Sequence, residues 1–208
     1  MLSLTRVLEN NFLKREAGLI SGKWLDIGSG RTRMGIGSAK FTYADADASA
    51  KPDVVMDATE KFPFPDSSFD GIIALNLLEH LKETDLFFEE CARVLKKDGT
   101  MLATIPLFYP FHAGEGFGDY SRWTKQKAEY EAGKRFGKVR VDALGGRYSL
   151  LLEIASLSTP AFLRFIYAPA AHVAFWLDER LLAPNEKRIG KSFYLVNFMK
   201  AQSPKKGA

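Results

Sequence analysis

One cysteine, Cys91, stands among 208 residues, so no internal disulfide can form and no Cys-rich zinc site can be assembled. That poverty points to a reducing compartment, and the cytoplasm is the expected setting. Long apolar runs are missing too. The apolar stretch 165–177 holds 13 residues without a charge and contains Pro169, short of the roughly 20 that a bilayer span needs. The amino end, MLSLTRVLENNFLKRE, has charges throughout and lacks the apolar core of a signal peptide. Histidine is scarce, with three in all, and no metal is expected. No internal repeat or low-complexity segment is found. The formal charge of +4 is no body-wide excess, because residues 180–208 hold seven Lys/Arg against one Glu and residues 1–179 hold 22 against 24. A short solvated tail is the commoner meaning of such a stretch, ahead of an anionic surface or nucleic acid.

What is present describes a globular chain: 46% hydrophobic and 26% charged residues exclude disorder and leave ample material for a core. Short β-branched or aromatic runs alternate with helix-period segments, which argues α/β. Strands are predicted at Lys23–Ile27, Phe41–Ala46, Val54–Met56, Phe69–Leu75, Thr100–Ile105, Lys138–Ala143 and Ser192–Met199. Helices are predicted over the amino end, where Leu4, Leu8 and Phe12 recur every four residues, over Glu83–Leu95 with a stop at KKDG, and over Lys125–Phe136. A long apolar helical insertion, broken at Pro160, precedes the last strand. One domain is expected over 1–208: an N-terminal helix to residue 20, a core over 21–147, the insertion over 148–190 and a basic tail over 200–208.

The strongest local signal is WLDIGSG. An apolar strand delivers Asp26 and then Gly28-Ser29-Gly30, whose tight turn lets backbone approach a ligand at the carboxyl edge of a parallel sheet. Asp45 or Asp47 ends the second strand, where a carboxylate suits two ribose hydroxyls. Asp47, about 20 residues past the turn, is preferred. Asp57 ends the third strand and can take an adenine amino group, with Ala58 offering a small apolar surface to the ring.

These features and their continuation, VVMDATEKFPFPDSSFDGIIALNLLEHL followed by RVLKKDGTMLATIP, resemble a class I S-adenosylmethionine-dependent methyltransferase of the type 11 kind, over about residues 23–106. The resemblance implies a Rossmann-like, seven-stranded, mostly parallel sheet with an antiparallel last strand and helices on both faces. It implies S-adenosylmethionine as cofactor, with Gly28 and Gly30 facing its methionine part, Asp47 the ribose, Asp57 and Ala58 the adenine, and Asn76 the region near the sulfonium. Thr32 stands where family members commonly have a third glycine, and Arg31–Lys40 is short for a crossover helix. The segment PLFYPFHAGEGFGDYSRWT resembles the loop of bacterial relatives associated with cell-surface glycan or lipid modification.

Methyl transfer from a sulfonium needs alignment and dryness more than acid–base machinery, although a hydroxyl acceptor needs a base. His112, in the loop after the fifth strand, is the first candidate, with Asp119 and Arg122 nearby. Arg122 can fork onto an acceptor phosphate or carboxylate, or pair with Asp119 instead. His80 reads as structural or gating, and His172 as packed or interfacial. A nicotinamide enzyme is disfavoured by Arg33 at the sixth fingerprint position, base aminomethylation by Asn76-Leu77-Leu78-Glu79 in place of Asn-Pro-Pro-aromatic, and base C5-methylation by the helical position of Cys91. The expected acceptor is a small molecule or a surface glycan or lipid, methylated at oxygen, with nucleic acid disfavoured. The rival is an inactive scaffold subunit of the same fold. Residues 160–182 are expected to meet a membrane surface or a second copy.

Overall fold

A computed structural model describes residues 4–114, 116–181 and 194–205. Its seven strands are β1 (Ser21–Ile27), β2 (Ser38–Asp45), β3 (Val54–Val55), β4 (Phe69–Leu75), β5 (Leu95–Pro106), β6 (Phe136–Leu144) and β7 (Val196–Pro204). They form one sheet in the order β3-β2-β1-β4-β5-β7-β6. Only β7 runs against its neighbours, pairing antiparallel with both β5 and β6. From β1 the chain turns to β2 and β3 on one side, then returns to place β4 on the other. The carboxyl ends of β1 and β4 are therefore the topological switch point, where open α/β sheets leave a crevice.

Side-chain alternation sorts the core into two layers. Leu25, Ile72 and Met101 face α2 (Asp85–Val94) and α3 (Lys125–Arg135), meeting Phe87, Phe88, Cys91 and Ala128. Trp24, Ile73, Leu102 and Phe198 face the other way and are covered by Phe12 and Leu13 of α1 (Leu4–Glu16). Of the four-residue recurrence read at the amino end, Phe12 seals this layer, while Leu4 and Leu8 pack with Leu195 and Val196 in a separate cluster.

The connection over 28–37 contains no helix, which bears out its reading as too short for one. Two devices replace the helix. Met34 and Ile36 pack against the layer covered by α1. The Arg33 guanidinium lies 4.6 Å from the Tyr43 ring centroid and donates to the carbonyls of Gly30, Thr32, Ala50 and Lys51, tying the connection to the segment after β2.

Most boundaries shift by a few residues, and the shifts of β5 and β7 are the largest. The strand expected from Thr100 begins at Leu95, because Leu95 pairs with Phe69 across a bulge that absorbs the KKDG turn. The last strand lies later than predicted and runs to Pro204. Residues 200–204, expected as tail, therefore belong to the sheet, where Ala201 is buried and Lys200 pairs with Glu16. Residues 192–193 and 206–208 lie outside the described residues.

The predicted insertion is helical, as α4 (Arg147–Leu157), a 3-10 turn (Ala161–Ile166) and α5 (Tyr167–Leu181). Asp178 of α5 accepts from Tyr148 N and Ser149 N, which caps α4. Buried Glu153 accepts from Leu4 N and ties the insertion to α1. Its 182–190 portion lies outside the described residues. Phe162, Val173 and Trp176 are more than half exposed, and His172, expected to be packed or interfacial, is exposed as well. Among the described residues no helix is long and apolar enough to cross a membrane.

Candidate active site

A cavity of about 390 Å³ opens at the switch point. Its floor is backbone. Gly28 at φ +72° and Gly30 at φ +54° turn the chain after β1, and both sit in the left-handed region that side-chain-bearing residues avoid. Gly28 N donates to Ala44 O at 2.9 Å and Gly30 N to Asp45 Oδ2 at 2.7 Å, locking the turn onto the end of β2. A Cβ on Gly30 would meet nothing within 4 Å, whereas one on Gly28 would lie 3.0 Å from Leu77 Cδ1. Beside the turn, Asp26 is buried and its Oδ2 has no hydrogen-bond partner among the described residues. Burial pushes its carboxyl up to about 7 against the pull of Arg33, with Asp45 adding to the rise.

The opposite wall is assembled from three distant segments. Asn76, at φ +50°, follows β4 and donates through Nδ2 to Glu9 Oε1 of α1 at 2.7 Å. Thr104 Oγ1 donates to the same oxygen at 2.8 Å. Glu9 is buried, and desolvation raises its pKa despite those two hydrogen bonds and Arg6. Next come Glu79 and His80, in a 3-10 turn at Leu78–His80. Glu79 is fully buried, with neither carboxylate oxygen hydrogen-bonded among the described residues, and burial pushes it up to about 8. His80 Nδ1 lies 2.5 Å from Gly118 O, and desolvation lowers its pKa. The loop after β5 completes the wall, with Tyr109, His112 and Phe117 lining the cavity. The His112 and His80 rings meet edge to face with centroids 4.8 Å apart.

Most of the candidate residues converge on this cavity: Asp26, Gly28, Ser29, Gly30, Asn76 and His112 line it. Asp119 and Arg122 lie behind it. Asp119 accepts from His112 N at 3.0 Å and is held by both terminal nitrogens of Arg122, which keeps its carboxyl well below the usual range. Arg122 also donates to the carbonyls of Ser121, Tyr109 and Pro110. Its guanidinium makes the pair with Asp119, one of the two roles the sequence left open to it. Asp47, Asp57 and Ala58 lie outside the cavity lining. Asp47 is exposed and bonds Ser49 N and Oγ, whereas Asp45, the option set aside, receives both Gly30 N and Asp47 N. Asp57 bonds Thr59 N and Oγ1. Cys91 is fully buried with its thiol pKa raised by desolvation, in keeping with its exclusion as a nucleophile. Sequence reasoning missed Glu9 and Glu79. The available signal was an acid interrupting the buried stripe Thr5, Phe12, Leu13 in the first case, and the LEH turn in the second.

Sheet order, the antiparallel β7 and a glycine turn at the switch point define the Rossmann-like fold of class I methyltransferases. The family described as "Methyltransferase domain" matches residues 25–103, so the type 11 resemblance is borne out over that segment. A probable S-adenosylmethionine-dependent methyltransferase of Mycobacterium tuberculosis is 35% identical over 54 residues, 26% of this chain and 20% of that protein. The chain thus spans about a fifth of the length of the curated relatives it matches. Among solved structures, a methyltransferase from Archaeoglobus fulgidus aligns with TM-score 0.58 and 17% identity, covering 96% of this chain and 94% of that one. Phosphoethanolamine N-methyltransferase 2 of Haemonchus contortus, in complex with S-adenosyl-L-methionine, aligns with TM-score 0.58 and 20% identity over 95% of this chain and 53% of its own. At these identities the structural likeness is one of fold.

Proposed function

We propose that the chain transfers a methyl group from S-adenosylmethionine to an oxygen of a small-molecule, glycan or lipid acceptor. The observation that carries this reading is Asp26, a buried carboxylate with an unpartnered oxygen, set beside two left-handed glycines at the switch point. That arrangement suits the cationic amino-acid half of the cofactor: the glycine amides approach closely and the carboxylate supplies the missing counter-charge. Bound there, S-adenosylmethionine supplies an electrophilic methyl group.

The chain's own residues divide the remaining work. Asp26, Gly28, Ser29 and Gly30 hold the amino-acid end, and Asn76 borders the reacting centre. The acid ending β2 takes the ribose; we assign this to Asp45 by its place against the turn, with Asp47 beyond it. Asp57 and Ala58 take the adenine along the ends of β2 and β3. His112 removes the acceptor's hydroxyl proton, while Asp119 and Arg122 position the His112 backbone. The cytoplasmic setting belongs to the same proposal. The exposed Phe162, Val173 and Trp176 support contact with an anionic lipid surface that carries the acceptor or, as an alternative partner, a second copy. Flotation of the protein with anionic vesicles tests the lipid contact, and a protein left at the bottom of the gradient counts against it.

Calorimetry with S-adenosylhomocysteine tests the central reading. Saturable binding in the micromolar range supports it, and no heat at millimolar ligand ends it. The second outcome would favour an inactive scaffold of the same fold, for which Thr32 and the helix-free 28–37 connection speak.

A further inference from the structure

Glu79, His80 and His112 each offer one ligand atom, and these atoms lie within 4.8 Å of one another on the cavity wall. Methyl transfer with His112 as base leaves the other two without a task. Glu79 is fully buried with neither oxygen hydrogen-bonded among the described residues, its Oε1 4.0 Å from His80 Nε2, and the neighbouring guanidinium of Arg122 is held by Asp119. An ionised carboxylate in that position lacks the counter-charge that burial demands.

Both imidazoles are oriented as metal ligands are. His80 Nδ1 faces Gly118 O at 2.5 Å, so the proton sits on Nδ1 and the lone pair on Nε2. His112 Nδ1 faces Pro110 O at 3.0 Å and lies 3.3 Å from Asp119 Oδ2, which leaves its Nε2 as the free donor. An outer partner on one ring nitrogen that fixes the other for coordination is the usual construction around a metal-bound histidine.

We propose that Glu79, His80 and His112 bind one divalent first-row transition cation, against the expectation of no metal. Two imidazoles and one carboxylate suit zinc, manganese, cobalt or iron(II), whereas magnesium and calcium prefer all-oxygen shells. Ligand bonds of about 2.0–2.2 Å require the three side chains to close inward by roughly an ångström. Coordination by three residues from one wall leaves positions open toward the cavity.

The consequence rests on the methyl-transfer reading and deepens it. An acceptor with two adjacent oxygens, such as a vicinal diol, a catechol or a hydroxy acid, can occupy the open positions. The cation then acidifies the coordinated hydroxyl and its proton leaves to water. The oxygen lone pair forms the new C–O bond while the methyl C–S bond breaks and its electron pair stays on sulfur. His112 then serves as ligand in place of base.

The test uses the whole chain stripped with a chelator and titrated with Mn²⁺ followed by electron paramagnetic resonance, then with Co²⁺ followed by its visible absorption. One ion per chain, bound with a dissociation constant of about 10 μM or tighter, is expected. His112→Ala, in a partly exposed loop, weakens it at least tenfold. Glu79→Gln does the same, and His172→Ala, at the exposed third histidine, changes nothing. No saturable Mn²⁺ or Co²⁺ binding below about 1 mM overturns the proposal. So does unchanged affinity in a folded His80→Ala/His112→Ala double variant. Metal binding without S-adenosylhomocysteine binding keeps the site and ends the methyl-transfer reading. The reverse result keeps methyl transfer and ends the metal site.

Discussion

The two sides of the cavity are made in different ways. The floor is one continuous piece of chain, Asp26–Gly30, shaped by backbone angles and locked to the neighbouring strand end by two short hydrogen bonds. The facing wall gathers side chains from positions 9, 79–80, 109, 112 and 117, and its order depends on Asp119 and Arg122 behind it. A floor of this kind is rigid and tolerates little change. A wall of this kind can be rebuilt for another acceptor without disturbing the floor. Under the proposed function, the difference assigns cofactor recognition to the floor and acceptor choice to the wall.

The sharpest way to break that division is Gly28→Val. The substitution forces a β-branched residue to φ +72° and drives a side chain against Leu77. We expect affinity for S-adenosylhomocysteine to fall by about a hundredfold or more while circular dichroism keeps the helix and strand signal. Full affinity in this variant would remove the floor from the cofactor site.

Asp119→Ala attacks the wall alone. Removing one partner of a part-buried bidentate pair is expected to lower unfolding free energy by about 2 kcal/mol in urea titration. It frees the His112 amide as well, so turnover drops at least about tenfold. Affinity for S-adenosylhomocysteine stays within about twofold, since Asp119 touches none of the floor. A parallel loss of cofactor affinity would mean that floor and wall are one unit.

How much of this was legible follows the same division. The placement of Asp26, Gly28, Ser29 and Gly30 at the cavity was readable because it comes from the residues themselves: a strand that ends, an acid, and two glycines at a turn. Strand number and the orientation of the last strand followed from alternation and the family resemblance. The wall was not readable in the same way. Glu9 looks like one more polar residue on an amphipathic helix until Asn76 and Thr104, far away in sequence, are brought to it. Glu79 gave no sign that both of its oxygens would be buried with no hydrogen bond among the described residues. Arg122 had two equal readings, and only the observed partners chose between them. At the end of β2, spacing favoured Asp47 for the ribose, and what it did not show is that Asp45, at the strand end, receives Gly30 N.

Asn76 joins the two sides and allows a finer cut. Its φ of +50° costs an asparagine little and an alanine about 1 kcal/mol, and its amide also anchors Glu9. Asn76→Ala is expected to lose about 2 kcal/mol by chemical denaturation, and Asn76→Gly to recover the backbone part of that loss. If the two variants are equally unstable, the contact with Glu9 accounts for the whole effect and the backbone for none.

The mildest probe lies away from both sides and shows what an ordinary buried carboxylate does here. Glu90 of α2 is buried, accepts from Phe62 N at 2.8 Å and pairs with Arg93 at 2.6 Å. Arg93 also reaches Asp66 and the carbonyls of Phe62 and Phe64. The hydrogen bonds from Arg93 outweigh desolvation and hold the Glu90 carboxyl below its ordinary value of 4.5, whereas Glu79 on the wall is driven above it. A depressed folded pKa means that the unfolded chain takes up the proton first. The stabilisation is therefore fully present above about pH 4.5 and is lost as pH falls through the lower folded value. Glu90→Gln is expected to cost about 1 kcal/mol at pH 7 and to flatten the acid side of the stability profile, with cofactor affinity unchanged. Urea titrations at pH 7 and pH 3.5 check this: the gap between wild type and variant must narrow at the lower pH. A gap that stays constant would show that Glu90 acts through shape and not through charge, and the contrast with Glu79 would lose its electrostatic basis.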